Sequence, residues 1–231
     1  MLESDDTISK IYIYVVARDF GFAPNPFHGV CTLACCMPQL RSTAQVGDWV
    51  FGMGGSRLEA TGKCVYGMQI TQTMTFEEYW ADPKFLVKQP VRNGSRAMLL
   101  GDNIYSRAGE ESPWFQMDSH HSYPDGSPNQ SNIEKDTSKN KVLASERFLY
   151  FGSQAPEVPS QILKSMGYSN GRGHRVFSTN KAVDLLEWFE KACEGRVGCM
   201  VGEPFDFRLS GARYSAAGNK ILKEDVAQLG Q

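Results

Sequence analysis

Apolar positions along this chain repeat mainly at every second residue, and the clearest case runs from Gly47 to Thr73. Trp49-Val50-Phe51 is a short stretch of aromatic and β-branched type behind a tight Gly47-Asp48 turn, and Gly54-Gly55 opens a polar loop. Lys63 to Thr73 then returns with Val65, Gly67, Gln69 and Thr71 on one face and Cys64, Tyr66, Met68 and Ile70 on the other. This pattern predicts a β-hairpin able to wall a small barrel. Upstream, Ile11 to Ala17 is a nearly continuous run of β-formers, which suits a central strand buried on both sides. Two prolines and two glycines exclude regular structure from the following GFAPNPFHG loop. Cys31 to Pro38 reads equally as a short strand or as a helical turn stopped by Pro38. Lys141 to Phe151 restores strand character, as two short strands broken near Ser145-Glu146.

Helical spacing is rarer. Thr75-Phe76-Glu77-Glu78 fits a capping box and predicts a helix from Phe76 to about Trp80, ended by Asp82-Pro83. Ser160 is placed to cap a short helix reaching Met166. Asn180 is placed to cap the strongest one, Lys181 to about Glu194, whose Leu185, Leu186, Phe189 and Cys193 share a face and which Gly195 stops. Lys84 to Ser138 shows no strong period, and a connection this long is more often functional, or a lid, than idle. The expected architecture is α+β: a small curved β-sheet or barrel, peripheral helices and this long loop-rich insertion. Residues 1–210 are expected to form one domain. The polar segment 211–231 reads as a peripheral tail in which Ile221 to Leu229 offers a last helical turn or two.

Composition narrows the class. With 231 residues, 41% hydrophobic and 22% charged, the chain is long enough for a full core. A net charge of −2 argues against a large basic face gripping a nucleic-acid backbone. Met1 to Lys10 lacks both the basic start and the apolar core of a signal peptide, and no apolar run approaches the roughly 20 residues of a membrane span. A cytoplasmic protein with no membrane association is expected, its six cysteines reduced. No phosphate loop, nucleophile elbow or complete zinc signature is present.

The order of motifs is more specific than any one of them. YVV, GDWV, VYGMQIT, FEEYW followed by DP, GDNIY, HSYPDGSPN, DTS, VLAS, FLYFG and GRGH resemble, in that order, the nucleotide modification associated domain 2 family, over roughly Ile11 to Phe207. That resemblance implies a link to modified nucleotides or bases and no settled reaction. A wider likeness, through Gly47-Asp48-Trp49-Val50 and Tyr66 to Ile70, is to PUA-like domains of the ASCH, EVE and YTH type, which hold a base in an aromatic-lined pocket.

Base recognition needs an aromatic face for stacking and fixed donors and acceptors for identity. Phe20, Phe22, Phe27, Trp49, Trp80 and Trp114 are candidate walls, with Asn103, Gln116 and Asp102 as polar readers. Trp49 and Trp80 read better as core and Trp114 as pocket. Asp102-Asn103, His120-His121, Asp125 and Asp136-Thr137 concentrate acid, amide and imidazole, enough for a general base or an oxygen-ligated cation. Asp125 also fits a simple Asp-Gly turn, and Asp136 a helix cap or Asx turn. Cys31, Cys35 and Cys36 near His28 offer half of a zinc signature, and buried small hydrophobes are the favoured reading of these thiols. Arg172 and Arg175, with Arg41, Arg92 and Arg96, are candidate phosphate contacts or solvated surface arginines.

The leading expectation is recognition of a modified nucleobase or nucleotide in DNA modification or defence, with Phe22, Phe27, Asn103, Trp114, Gln116, Arg172 and Arg175 as ligand contacts and no metal or cofactor. The first alternative is an enzyme acting on a nucleotide or base, with Asp102 and His121 as acid and base. The second is a protein-interaction module.

Overall fold

A computed structural model describes residues 9–216 and 218–222. Its centre is a mixed six-stranded sheet, ordered from edge to edge as His174–Ser178, Lys10–Val16, Trp49–Gly54, Cys64–Gln69, Arg147–Tyr150 and Cys199–Met200. The run of β-formers at 11–14 is buried because it lies inside this sheet, antiparallel to one neighbour and parallel to the other. The hairpin is present, with Trp49 opposite Gln69, Val50 opposite Met68 and Phe51 opposite Gly67.

Curvature comes from two chain segments that serve two sheets. Past Cys64–Gln69 the chain bends and continues as Gln72–Met74, while the break at Glu146 separates Val142–Ser145 from Arg147–Tyr150. The halves pair with each other on both sides of the bend, and Cys31–Leu33 joins the second, three-stranded sheet. The architecture is therefore α+β around a bent mixed sheet. Its edge strands, His174–Ser178 and Cys199–Met200, are not paired to each other among the described residues.

Helices close the outer faces. The capping box at Thr75 is made, and the helix runs Phe76–Ala81. Val183–Cys193 lays Leu185, Phe189 and Cys193 on the sheet, with the Phe189 ring edge-on to Phe51 at 5.1 Å. Its start departs from the sequence reading. Ser178, not Asn180, accepts from the Lys181 amide and caps a 3-10 turn, Thr179–Ala182, that leads into the helix. Gly67 is required where this helix crosses the hairpin, since a Cβ there would stand 2.6 Å from Phe51 and 2.7 Å from Phe189. Gly67→Ala is expected to cost about 1–3 kcal/mol by overpacking, read as a lower urea midpoint at unchanged slope. An unchanged midpoint contradicts this packing.

The 84–138 insertion folds around a second core that includes Phe76, Tyr79, Phe85, Ile104, Tyr105 and Ile133. It contains a short helix, Arg96–Leu99, a two-strand ladder, Tyr105–Ser106 with Phe115–Gln116, and a longer helix, Gln130–Thr137. The segment after 211 is not peripheral where it is described. Arg213 is buried, the Tyr214 amide donates to the His120 carbonyl at 2.7 Å, and the Ala216 amide donates to Asn132 at 2.8 Å. Of the expected C-terminal helical turn, Ile221 and Leu222 instead end the strand Lys220–Leu222, and 223–229 lie outside the described residues. No helix among the described residues is long and apolar enough to cross a membrane.

Candidate active site

Strand Cys31–Leu33 gives way to helix Pro38–Thr43 through a sharp turn, in which Cys36 and Met37 take left-handed φ values of 62° and 43°. Non-glycine residues rarely adopt this conformation, and such strain clusters where a side chain must be aimed. The turn is over-determined. The Cys36 amide donates to Asp136 Oδ1 at 2.8 Å, and the buried Arg41 guanidinium donates to the Cys36 carbonyl at 2.8 Å and to the Asp136 carbonyl at 2.5 Å. Arg41 thereby ties the cysteine turn to the end of helix Gln130–Thr137. Its place in the candidate phosphate group is corrected accordingly: it is a buried clamp on backbone carbonyls.

His121 stands at the junction. Its carbonyl accepts from Asn132 Nδ2 at 2.7 Å and from Gln116 Nε2 at 3.3 Å, which fixes the backbone that carries the ring. Its Nδ1 lies 2.6 Å from Asp136 Oδ2, and Cys36 stands beside the same ring. Asp136 Oδ2 also accepts from the Tyr105 hydroxyl at 2.9 Å. Burial opposes charge on His121, but the Asp136 carboxylate, with Cys36 beside it, outweighs burial and raises the imidazole well above its ordinary value. Asp136 moves the other way. Burial works against its charge, and His121, the Cys36 amide and Arg41 together hold its carboxyl below the usual range. Cysteine, histidine and a buried carboxylate thus stand in the order of a nucleophile, the imidazolium beside it and the group that orients and charges that ring.

Cys35 Sγ, His121 and Asp136 also place donor atoms within 4.8 Å of one another. Two donors bound to one zinc at ~2.0–2.2 Å stand roughly 3.3 Å apart in tetrahedral geometry. The 2.6 Å contact between Nδ1 and Oδ2 is therefore a shared proton, not an open chelate. Burial also drives the Cys35 thiol far up, which keeps it protonated.

The relay borders a cavity of ≈ 140 Å³ at the C-terminal end of strand Lys10–Val16. Tyr14, Phe20, Phe22, His120 and Tyr214 wall it, and Cys36 and His121 reach it from the turn side. Phe22 lies 4.5 Å from the His121 ring, centroid to centroid, and His120 and Tyr214 stack nearly parallel at 5.9 Å.

Sequence comparison matches residues 8–211 to the nucleotide modification associated domain 2 family. The chain belongs to that family. No curated protein and no solved structure matches it. The matched span of this nucleotide modification associated domain contains Cys36, His121 and Asp136, and it ends before Tyr214, the wall that the following segment supplies.

The structure sorts the sequence candidates within the domain. Phe22 and His121 border the cavity. Phe27 packs on Phe207 instead, at 5.7 Å. Gln116 is spent on Tyr105, His121 and Asn129, so it braces the site from behind. Asn103 is buried and donates to the carbonyls of Tyr79 and Phe85. Trp114 is half-buried away from the cavity, edge-on to Phe76 at 5.6 Å, with the Arg107 guanidinium 4.4 Å above it. Arg172 and Arg175 are exposed near the edge strand His174–Ser178, and neither borders the cavity. Asp102 is fully buried, accepting from Thr32 at 2.7 Å and from Tyr79 at 2.8 Å beside buried Lys88. Asp125 forms an exposed turn, accepting from the Ser127 amide at 2.9 Å. Trp49, beside the hairpin, borders a separate apolar groove of ≈ 240 Å³ with Phe148, Phe189 and Val197. Sequence reasoning weighed Cys36 with Cys31, Cys35 and His28 and favoured a buried small hydrophobe; it is half-buried instead and stands beside His121. The available signals were its place between a β-forming triplet and a helix-starting proline, and a His-Ser-Tyr turn followed by an acid-bearing helix.

Proposed function

We propose that this protein is a cysteine-dependent enzyme of nucleotide modification, in which Cys36 attacks an electrophilic carbon on a group carried by a base or nucleotide. The observation that carries this reading is the Cys36–His121–Asp136 relay at the border of an aromatic-walled cavity. Cys36 attacks as the thiolate, its proton released to solvent, while His121, held as the imidazolium by Asp136, gives a proton to the leaving atom and is oriented by the same carboxylate. At ≈ 140 Å³ the cavity is equivalent to only a handful of waters at ~30 Å³ each, so the reacting group enters and the rest of the nucleotide stays at the mouth.

A second reading uses the same cavity without chemistry. Phe20, Phe22 and Tyr214 offer faces on which a modified nucleobase stacks, and the neutral His120 offers one point of hydrogen bonding. The PUA-like comparison goes with this reading, and the bend shared by the two sheets supports it.

Mass spectrometry against a panel of modified nucleotides and short DNAs separates the two. The enzyme reading expects the ligand's mass to change, with the rate falling at least ~10³-fold in Cys36→Ala. A ligand that binds equally to wild type and Cys36→Ala and leaves unchanged supports recognition and sinks the enzyme.

A further inference from the structure

A cavity of ≈ 140 Å³ takes the reacting group and leaves the rest of the nucleotide outside, so something at the mouth has to hold it. The Tyr214 wall gathers positive charge. The Arg18 guanidinium lies 5.6 Å from the centre of the Tyr214 ring and the His121 ring 6.0 Å from it, and both residues line the cavity. A third cation comes from the hairpin loop. The Gly55 amide donates to the Val16 carbonyl at 3.0 Å, which seats the 3-10 turn Ser56–Leu58, with exposed Arg57, against the end of the strand that leads into Arg18. Burial raises the pKa of the Tyr214 hydroxyl and the charge of Cys36 adds to the rise, while Arg18 and Arg57 pull it back, so all three side chains are close enough to act on that one group. The cations differ in what balances them. Asp136 compensates His121, whereas no carboxylate pairs with Arg18 or Arg57 among the described residues. Asp19, next to Arg18 in sequence, is buried and accepts from the Tyr150 hydroxyl at 2.5 Å and from the Phe205 amide at 3.1 Å. Asp206 accepts from the Asp19 amide at 3.2 Å, and exposed Glu59 makes no ion pair with Arg57. A half-buried guanidinium beside an aromatic ring, without a counter-charge, favours an anionic ligand, and its planar fork matches two oxygens of a phosphate.

We propose that Arg18 and Arg57 hold the phosphate of the nucleotide whose reactive group Cys36 attacks. This rests on Cys36 being the nucleophile and adds that its substrate is phosphorylated, a free nucleotide or a nucleic-acid strand and not a nucleoside or a free base. The reacting group enters between Phe20, Phe22 and Tyr214, and the phosphate stays outside, beside the tyrosine hydroxyl near which both arginines stand. Neither residue was among the arginines singled out from the sequence. Of those, Arg41 is spent on backbone carbonyls and Arg172 and Arg175 do not border the cavity. The net charge of −2 is no obstacle, because one phosphate asks for two placed cations and not for a basic face.

Alkylation of the full chain reads this charge with two reagents of similar size, neutral iodoacetamide and anionic iodoacetate. Peptide mapping follows Cys36 separately from the other five cysteines, and a neutral free thiol, N-acetylcysteinamide, gives the intrinsic rate ratio. The iodoacetate-to-iodoacetamide ratio at Cys36 is expected to exceed the intrinsic one by about threefold to fivefold at low salt and to approach it in about 1 M salt. Arg18→Gln and Arg57→Gln should each lower the ratio, and Arg18→Lys should keep it. A wild-type ratio equal to the intrinsic one overturns the arginine site, and so does a raised ratio that both glutamine variants retain, since the charge then belongs to His121. In both cases a Cys36 that outpaces half-buried Cys199 with iodoacetamide leaves the nucleophile standing. A Cys36 no faster than Cys199 with the neutral reagent removes the nucleophile, and the phosphate site with it. Protection of Cys36 from iodoacetamide then identifies the carrier: thymidine 5′-monophosphate protects if the substrate is a free nucleotide, and a short thymidine oligonucleotide protects better per phosphate if it is a strand. Equal protection by thymidine itself, or protection by none of the three, overturns the phosphate.

Discussion

Asp136→Ala is expected to lower the free energy of unfolding by about 3–5 kcal/mol and to slow alkylation of Cys36 at pH 7.5 at least ~10-fold. One carboxylate holds three partners there: the His121 ring, the Tyr105 hydroxyl and the Cys36 amide. Removing it strands an imidazolium among buried groups. With no counter-charge, burial prevails, His121 gives up its proton, and Cys36 loses the cation beside it. Asp136→Asn keeps the shape and is expected to fall between the two on stability while matching alanine on reactivity, because an amide cannot carry the compensating charge. Chemical denaturation and mapped alkylation check the two effects separately. An Asp136→Asn protein whose Cys36 reacts like wild type removes the orienting role.

The same pair sets a pH dependence with a definite sign. His121 is raised in the folded state, so its contribution is complete below the unfolded value near 6.5 and is lost as pH climbs through the folded value. Asp136 is lowered, so its share is complete above about 3.9 and disappears only in acid below that. His120 opposes its neighbour: held neutral, with a folded pKa of about 3, it favours the folded state fully above 6.5 and progressively less as pH falls toward that value. Thermal stability should therefore peak near neutrality, its alkaline limb belonging to His121 and flattening in Asp136→Asn.

Local pattern carried the sheet and little of the site. Residues such as Trp49-Val50-Phe51 and Tyr66-Gly67-Met68 announce strands because alternation and turn residues act between near neighbours, and their pairing followed from the intervening glycine loop. The Thr75 capping box is likewise written within four residues. The relay is not local. Cys36 lies on one side of the hairpin and His121 and Asp136 on the other, and only the packing of the insertion against the cysteine turn brings them together. His121 was legible as one of a dense polar group, but nothing in the sequence says that Asp136, near the end of its helix, would turn inward and Asp125 outward. The aromatic wall at Tyr214 was hidden for another reason: a polar segment with no period reads as a tail until Asn132 and His120 are seen to bind its backbone.

Asp102, chosen from sequence as an acid or base, is expected to act on stability instead, with Asp102→Ala costing about 3–5 kcal/mol. The carboxylate is buried inside a ring of partners that face away from the cavity: Thr32 and Tyr79 donate to it, and its charge lies near the Lys88 ammonium. Lys88 in turn donates to the Asn25 side chain at 2.7 Å and to the Val30 carbonyl at 2.6 Å, so it ties the middle of the proline-rich loop that presents Phe22 to the residue that follows it. Burial has already brought Lys88 down to about 8 against the pull of Asp102, and losing that pull leaves either a costlier ammonium or a neutral amine. Two hydroxyls lose their acceptor at the same stroke. Asp102→Asn, which keeps one oxygen, should cost about 1–3 kcal/mol and leave the alkylation of Cys36 in the folded protein unchanged. Urea titration together with mapped alkylation decides the matter. An alanine variant as stable as wild type, but with Cys36 inert, would move Asp102 from the scaffold into the chemistry.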